Sequence, residues 1–391
     1  MRFTSNLTRK SVSRVADQRL GGNSGLTPPI CVTHQHLTGY DEIKPRAPVD
    51  AGDGTHAAPI GALHVIDMNE GLPRNWDLFY PASGPALSHR SIPAPRVGAA
   101  TVWHKDALYM WGGRGGPEMT PLDPYQVGVW RAAIEFSGWE PHGGFGSVVW
   151  ERIAASNEDQ APETRSYHTA VAYDNKLYIH AGCPATGRLS TLHAFNLKEL
   201  MWETLSSGPE PGRGGTCLVA TAIPGSSKDV LLRYGGFCGH ELPDTPGVVD
   251  VYFIAEDKWW TVQPAADPVH GSPGPRSVHG FVRFQSNSEK TSDAVAVLYH
   301  GERDASKLGH AGAGSFWDDV WLLTKDPGHE DPLSGWGWRK VDIGGGSAPE
   351  GRGWFPSASW VGPNGDTRVI LFGGLLSSNT RSDELWELTI D

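Results

Sequence analysis

Residues 165–202, RSYHTAVAYDNKLYIHAGCPATGRLSTLHAFNLKELMW, decide the fold, because they carry four short strand patterns in succession. An arginine opens the first, and the second is an apolar stretch that ends in the small residues Ala181 and Gly182. The third is TLHAFNL, and Trp202 marks the fourth. Short apolar stretches separated by turn residues predict a small antiparallel sheet.

The same four-part unit recurs five times along the chain. The copies begin at the repeat arginines, which are Arg96, Arg165, Arg213, Arg276 and Arg352. Two small residues end the second strand in most copies, and in the fourth copy, VLYHGE, the pair is interpreted as Gly301 and Glu302. A glycine pair lets the backbone turn with positive φ and lets neighbouring sheets approach closely.

A repeated four-stranded unit predicts an all-β fold, the β-propeller, with four antiparallel strands per blade. One blade cannot bury both of its faces alone, so several blades are expected to close in a ring. The stretches ALHVIDM and RNWDLFYP resemble the third and fourth strands of a degenerate N-terminal blade, which predicts six blades. The alternative is five blades, the last of which takes its outer strand from around Trp76. The predicted organisation is an irregular segment over residues 1–55 and one propeller domain over residues 56–391.

The composition excludes several classes of protein. With 33 Lys and Arg against 44 Asp and Glu, the formal net charge is −11, which disfavours nucleic acid and anionic membranes as partners. The four cysteines are widely spaced, which argues against a disulfide framework or a zinc module. No apolar stretch approaches the roughly 18 residues of a membrane span. We therefore predict a cytoplasmic protein with a small-molecule substrate, and a protein partner or a homo-oligomer stays open.

The repeat resembles kelch repeats over about residues 90–391, on the strength of the Arg-led strand with a following His, the YxxGG ending and the spaced Trp. The resemblance implies a kelch-type propeller. It does not choose a function, because kelch propellers serve as scaffolds, substrate adaptors and enzymes alike.

The longest loop after a second strand is GERDASKLGHAGAGSFWDDVW, from Gly301 to Trp321. It resembles the corresponding loop of nitrile-specifier and epithiospecifier proteins, kelch propellers that redirect the breakdown of thioglucoside aglucones and use ferrous iron. The resemblance implies Fe(II) ligands at Glu302 and His310, with Ser306 standing where the family has an aspartate. Asp304 is the alternative carboxylate if the register shifts. Carboxylate and imidazole are suitable ligands for Fe(II).

Other loops are expected on the same rim of the ring. The resemblance implies that arginines on two of them hold an anionic group of the substrate, and a third loop, GGFCGHEL, offers an imidazole and a carboxylate. A tryptophan in RGWF is expected at the mouth of the channel. The candidate catalytic residues are Glu302, His310, Asp304 and His240, and the candidate substrate-binding residues are Arg114, Arg188, Glu241 and Trp354.

Two functions remain open at this stage. The loop rim favours an enzyme of lyase, isomerase or cyclase type in specialised metabolism, with Glu302 and His310 binding Fe(II) or acting as acid and base. The alternative is a protein-interaction scaffold without catalytic activity. The repeat arginines and the repeated histidines are expected to make structural contacts instead, and the histidines are His168, His180, His279 and His300.

Overall fold

The computed structural model describes residues 4–10, 30–33, 60–66, 76–82, 92–140, 143–308, 312–344, 348–362, 365 and 367–390. The chain divides into two compact units, Ser11–Ser166 and a second unit that combines Met1–Lys10 with Tyr167–Asp391. Regular structure in the described residues is β-strand apart from helix α1 (Pro124–Val127) and a 3₁₀ turn at Glu158–Gln160. The all-β prediction is confirmed. No helix of the described residues is long and apolar enough to cross a membrane.

The strands follow one another in chain order as β1 (Thr4–Lys10), β2 (Ile30–Thr33), β3 (Leu63–Ile66), β4 (Trp76–Pro81), β5 (Ala100–His104), β6 (Ala107–Trp111), β7 (Arg114–Gly115), β8 (Thr120–Pro121), β9 (Val129–Glu140), β10 (Gly143–Ile153), β11 (Thr169–Tyr173), β12 (Lys176–His180), β13 (Leu192–Asn196), β14 (Met201–Leu205), β15 (Cys217–Ala222), β16 (Asp229–Tyr234), β17 (Val249–Phe253), β18 (Lys258–Val262), β19 (Gly280–Arg283), β20 (Ala294–Tyr299), β21 (Glu302–Asp304), β22 (Ser315–Phe316), β23 (Val320–Lys325), β24 (Trp336–Lys340), β25 (Asp342–Gly344), β26 (Arg352–Gly353), β27 (Ser357–Val361), β28 (Thr367–Phe372), β29 (Leu375–Leu376) and β30 (Leu385–Ile390).

The unit Ser11–Ser166 contains the first repeat sheet, formed by β5, β6, β9 and β10. Strand β4 continues this sheet parallel to β10, with Tyr80 opposite Ser147, and β3 and β2 follow beyond it. The two N-terminal strand patterns therefore extend the first sheet. In the described residues they do not form a separate four-stranded blade, and the repeat sheets number five, the alternative that the sequence left open.

The other unit contains the remaining four repeat sheets. The second, third and fourth repeats form the four-stranded sheets β11–β14, β15–β18 and β19-β20-β23-β24. The fifth sheet has the order β25-β1-β30-β28-β27. Its outer strand is thus β1, antiparallel to β30 with Leu7 opposite Leu388, and the expected contribution from around Trp76 is wrong. Strands β1 and β2 both fall inside residues 1–55, and the predicted domain boundary stays a prediction.

Apolar cores fill the space between consecutive sheets of this unit. One cluster joins the third and fourth sheets through residues such as Val251, Phe281 and Trp338. The Trp338 indole donates to the carbonyl of Gly247 at 2.6 Å and packs edge-on against Tyr234. The repeated tryptophan therefore fills the wedge between two sheets, as its place in the fourth strand predicts.

The repeat arginines are buried, and the backbone carbonyls of those in the second to fifth repeats accept an N–H from the small pair that precedes them in the chain. The guanidinium of Arg352 donates to the carbonyl of Gly373 at 2.9 Å and to Glu384 at 3.0 Å, both in the same repeat. Its backbone carbonyl accepts the N–H of Gly301 from the preceding repeat at 2.8 Å. Arg165, Arg213 and Arg276 accept the corresponding N–H from Gly113, Gly182 and Gly236. The structural interpretation of the repeat arginines is confirmed.

These hydrogen bonds correct the register of the fourth repeat. The residue that donates to the next repeat arginine is Gly301, so the small pair of this repeat is His300 and Gly301. Both have left-handed backbones, with φ of 51° and 101°, as have Gly112 and Gly113 at 76° and 102°. Glu302 therefore lies one position beyond the pair. It does not replace the second glycine of the pair. A side chain at that glycine would overlap the segment that follows the repeat arginine of the same repeat.

The two second-strand histidines are buried and hydrogen-bonded, as expected, but they are not equivalent. His180 ends strand β12, where its Nδ1 lies 3.1 Å from the carbonyl of Thr191 and its Nε2 accepts from Arg233. His300 occupies the first position of the small pair, and its Nδ1 lies 3.2 Å from the carbonyl of Trp317. Burial lowers the pKa of His300 to about 4, so this ring stays neutral and structural.

Replacement of Arg276 by alanine is expected to destabilise the protein by about 3–5 kcal/mol, because it leaves the buried carboxylate of Asp319 without its partner. The midpoint of urea unfolding measures the loss. The control is Arg283→Ala, an exposed arginine of the same repeat. Equal stability of the two variants would contradict a structural role for the repeat arginine.

Deletion of residues 1–10 is expected to lower the melting temperature, because it removes β1 and leaves the edges of β25 and β30 unpaired. Deletion of residues 1–3 alone serves as the control, since those residues precede the strand. Differential scanning calorimetry measures both. A melting temperature that is the same for both deletions would show that β1 contributes no stability to the fifth sheet.

Candidate functional site

Glu302 is the first residue after the small pair and begins the short strand β21. Its backbone pairs with Ser277, the residue after the repeat arginine, through N–H···O bonds of 2.8 Å and 3.1 Å. The side chain is 8% exposed. The fold therefore buries the carboxyl group of Glu302 beneath the long loop of the fourth repeat.

The loop folds back over Glu302. Burial raises the pKa of the carboxyl group, and the nearby N–H groups of Gly314, Trp354 and Ser306 act in the opposite direction. A side chain at Gly314 would overlap the carbonyl of Asp304 and lie 2.5 Å from Glu302 Oε1. Glycine at this position lets the loop close directly on the carboxyl group.

A second buried carboxyl group, Glu241, lies beside the first. It comes from the loop after the third small pair, and Ser277 Oγ donates to Glu241 Oε1 at 3.4 Å. Ser277 thus contacts both residues, one through its hydroxyl and the other through its backbone. Burial, and secondly the charge of Glu241, raise the pKa of Glu302 to about 7, and burial also raises the pKa of Glu241.

Trp354 brings an aromatic surface to this carboxyl pair. Its ring meets Tyr167 edge to face, with centroids 5.5 Å apart and an interplanar angle of 84°. Tyr167 belongs to the second repeat and Trp354 to the fifth, so the contact brings together residues of non-consecutive repeats of one unit. Both rings are half-buried, which leaves part of each open to a ligand.

The other candidate residues differ in their exposure and in the groups that they contact. Asp304 is exposed and bonded to Ser315 and Arg303, which lower the pKa of its carboxyl group. His240 is exposed and lies 2.6 Å from Asp244.

Arg188 is half-buried and packs over Gly214. The backbone of Gly214 pairs with Phe237, and Phe237 in turn pairs with Glu241. Arg114 belongs to the unit Ser11–Ser166, where it donates to Ser166 at 2.6 Å. His310 lies outside the described residues.

The residues present around Glu302 do not by themselves fit an iron centre. The N–H groups of Gly314, Trp354 and Ser306 already lie near the Glu302 carboxyl group, and the Ser306 hydroxyl accepts the N–H of Leu308 at 3.1 Å. The described residues contain no group of three His, Cys, Asp or Glu side chains placed to hold a metal. Fe(II) binding stays a prediction, because His310 is not among them.

Two residues of the cluster were missed by sequence reasoning. Tyr167 follows Arg165 by two positions, as Trp354 follows Arg352, so the spacing from the repeat arginine could have identified it. Ser277 stands one residue after Arg276 and carried no signal, because its contacts with Glu241 and Glu302 depend on the neighbouring repeat.

Comparison with known proteins agrees with the repeat and with the sheets. The profile of the KLHDC2/KLHL20/DRC7 Kelch-repeats domain matches residues 52–288. The chain belongs to the kelch-repeat family. The prediction of a kelch-type propeller is thereby confirmed.

Two relatives of this kelch chain differ greatly in size. The N-(sulfonatooxy)prop-2-enimidothioate sulfolyase of Thlaspi arvense is 23% identical over 354 residues, which cover 84% of each protein. The putative protein tag-53 of Caenorhabditis elegans is 23% identical over 266 residues, 63% of this chain but 16% of that protein. The predicted resemblance to specifier proteins is confirmed at the level of a distant relative.

The raised pKa of Glu302 predicts a pH dependence of stability. The folded protein holds the proton of Glu302 more tightly than the unfolded chain does. The protonated carboxyl group therefore contributes to stability below pH 4.5, and this contribution is lost as the pH rises to about 7. Glu302→Gln removes the titration. The variant is therefore expected to gain stability relative to the wild type between pH 4.5 and pH 7.5, as measured by urea unfolding.

The matched control is Asp331→Asn, because Asp331 is an exposed carboxyl group of the same repeat whose pKa is lowered. Its stability relative to the wild type is expected to stay constant over this pH range. A constant difference for Glu302→Gln as well would mean that the carboxyl group ionises normally.

Proposed function

We propose that this kelch propeller is a small-molecule enzyme of lyase type that works at the carboxyl pair Glu241 and Glu302. The observation that carries the proposal is the geometry of this pair. Both buried carboxyl residues contact Ser277, and the long loop of the fourth repeat covers Glu302. Among the described residues no Lys or Arg forms an ion pair with either group. Burial raises the pKa of Glu241, and His240 is the basic side chain that acts in the opposite direction.

The pair is suited to proton transfer. Glu302, with a pKa near 7, carries a proton in part of the molecules at neutral pH and can donate it to a departing group. In an elimination the bond to that group breaks with its electron pair, and the proton neutralises the charge that develops there. Glu241 can then accept a proton from the substrate. The same two steps would serve an isomerase or a cyclase, and the sulfolyase relative favours the lyase.

An anionic leaving group needs a cationic contact to offset two carboxyl groups. Arg188 is the candidate within the same unit, because its side chain packs over Gly214. The backbone of Gly214 lies next to the loop that carries Glu241. His240 remains a further candidate for substrate contact, and Arg114, which belongs to the other unit, stays a prediction from the sequence. A guanidinium binds a sulfate or sulfonate through paired hydrogen bonds. Fe(II), a cytoplasmic location and a role in specialised metabolism belong to the same proposal as expectations from the sequence.

The test uses the substrate in the relative's name, N-(sulfonatooxy)prop-2-enimidothioate, and measures the release of inorganic sulfate and the organic products. The purified chain is assayed with and without added Fe(II), beside a reaction without protein. We expect the wild type to change the rate or the product ratio relative to the reaction without protein. The double variant Glu241→Gln/Glu302→Gln is expected to lower the catalysed rate at least a hundredfold, because it lacks general acid–base catalysis.

Asp331→Asn is the control, since it removes an exposed carboxyl group of the same repeat outside this loop, and it is expected to retain most of the activity. Rates and products equal to those of the reaction without protein would contradict the proposed enzyme. The protein-interaction scaffold that the sequence left open would then be the better assignment.

A further inference from the structure

The residue two positions after each repeat arginine has a left-handed backbone in every repeat. The φ angles are 64° at Gly98, 54° at Tyr167, 62° at Gly215, 47° at Val278 and 59° at Trp354. Glycine adopts this conformation without cost, whereas side chains with a Cβ are strained by roughly 1–2 kcal/mol. Two repeats use the glycine, and three carry large apolar side chains in spite of the strain.

The fold imposes the backbone conformation but does not require the side chains. Successive repeats are joined by N–H···O bonds from Gly215 to Tyr167, from Val278 to Gly215 and from Trp354 to Val278, with lengths of 2.9, 2.8 and 3.0 Å. A glycine makes these backbone bonds equally well. Strain that is kept where glycine would relieve it points to a function of the side chains themselves.

The three side chains gather beside the carboxyl pair. Tyr167 and Trp354 touch edge to face, and the indole N–H of Trp354 lies near the carboxyl group of Glu302. Val278 fits between two glycines, since a Cβ at Gly215 or Gly353 would lie 2.8 or 3.0 Å from its methyl groups. All three are half-buried. Tyr167 and Trp354 therefore form a pair of partly open rings beside Glu302, and the backbone joins Val278 to Trp354.

We propose that Tyr167, Val278 and Trp354 determine specificity by forming a wall that binds a planar apolar group of the substrate next to Glu302. The reaction at this site rests on the proposed function, whereas the binding of an apolar group does not. An aromatic group against such rings gains about 0.5–1.5 kcal/mol beyond its buried area, so aromatic compounds are expected to bind up to about tenfold better than aliphatic ones.

The test compares two probes of similar size that share a sulfonate group, benzenesulfonate and cyclohexanesulfonate, by isothermal titration calorimetry. We expect the wild type to bind the benzene compound up to about tenfold more tightly, and Tyr167→Gly and Trp354→Gly to lose that preference. Both variants are expected to keep the wild-type unfolding midpoint or to raise it, because glycine relieves the left-handed strain. Trp260→Gly, at a partly exposed tryptophan of the outer strand β18, is the control for binding.

Leucine variants at the same two positions keep the bulk and lose the planar ring. They keep the test informative if a glycine variant fails to fold, and they are expected to lower the preference in the same way. In the turnover assay, the phenyl analogue of the imidothioate is expected to have a higher kcat/KM than the propenyl compound in the wild type alone.

Unchanged preference in the Tyr167 and Trp354 variants, or equal binding of both probes by the wild type, would overturn the specificity wall. A large loss of stability in both glycine variants would also overturn it, since the rings would then be structural. Loss of probe binding by the variants together with no turnover by the wild type would separate the two ideas. The wall would stand and the lyase would fail.

Discussion

The buried repeat arginine is the interaction on which the kelch sheets depend. An unpaired guanidinium inside a protein is costly, so each one must be surrounded by acceptors. Arg276 meets Asp319 and the carbonyl of His300 in its own repeat, and its backbone carbonyl accepts an N–H from Gly236 of the repeat before. The guanidinium thus holds its own repeat together, and the backbone carbonyl of the same residue joins that repeat to the small pair of the repeat before it.

The same contacts create a position at which chemistry can vary. The residue after the small pair is held by its backbone, as Glu302 is by Ser277, so this pairing does not depend on which side chain it carries. The five repeats place there the unrelated residues Arg114, Cys183, Phe237, Glu302 and Leu375. In the fourth repeat this freedom produces a buried carboxyl group, and the long glycine-containing loop encloses it. Function in repeat folds arises in this way, on loops positioned by a rigid frame.

Membership of the kelch family does not choose between an enzyme and a scaffold, since the family profile describes the frame. The sulfolyase relative covers most of the chain, but at 23% identity its loops need not be shared. The distinction therefore depends on local physics. Two carboxyl groups whose pKa values are raised by burial destabilise the protein at neutral pH, and strained aromatic residues beside them add to that cost. Such costs concentrate where a site is used.

The sequence by itself determined the strands, the repeat and the importance of the loop at Glu302, because periodic apolar residues and turn glycines act locally. It predicted Glu241, Glu302 and Trp354 as candidates on loops of one rim. Only the tertiary structure decided how closely these three approach one another, that Tyr167 joins them, and that the small pair of the fourth repeat is His300 and Gly301. It also assigned the last outer strand to Thr4–Lys10, nearly 400 residues away in sequence from β30. The physical reason is the same in each case. Contacts between different repeats depend on how sheets pack and pair, and that arrangement leaves no periodic signal along the chain.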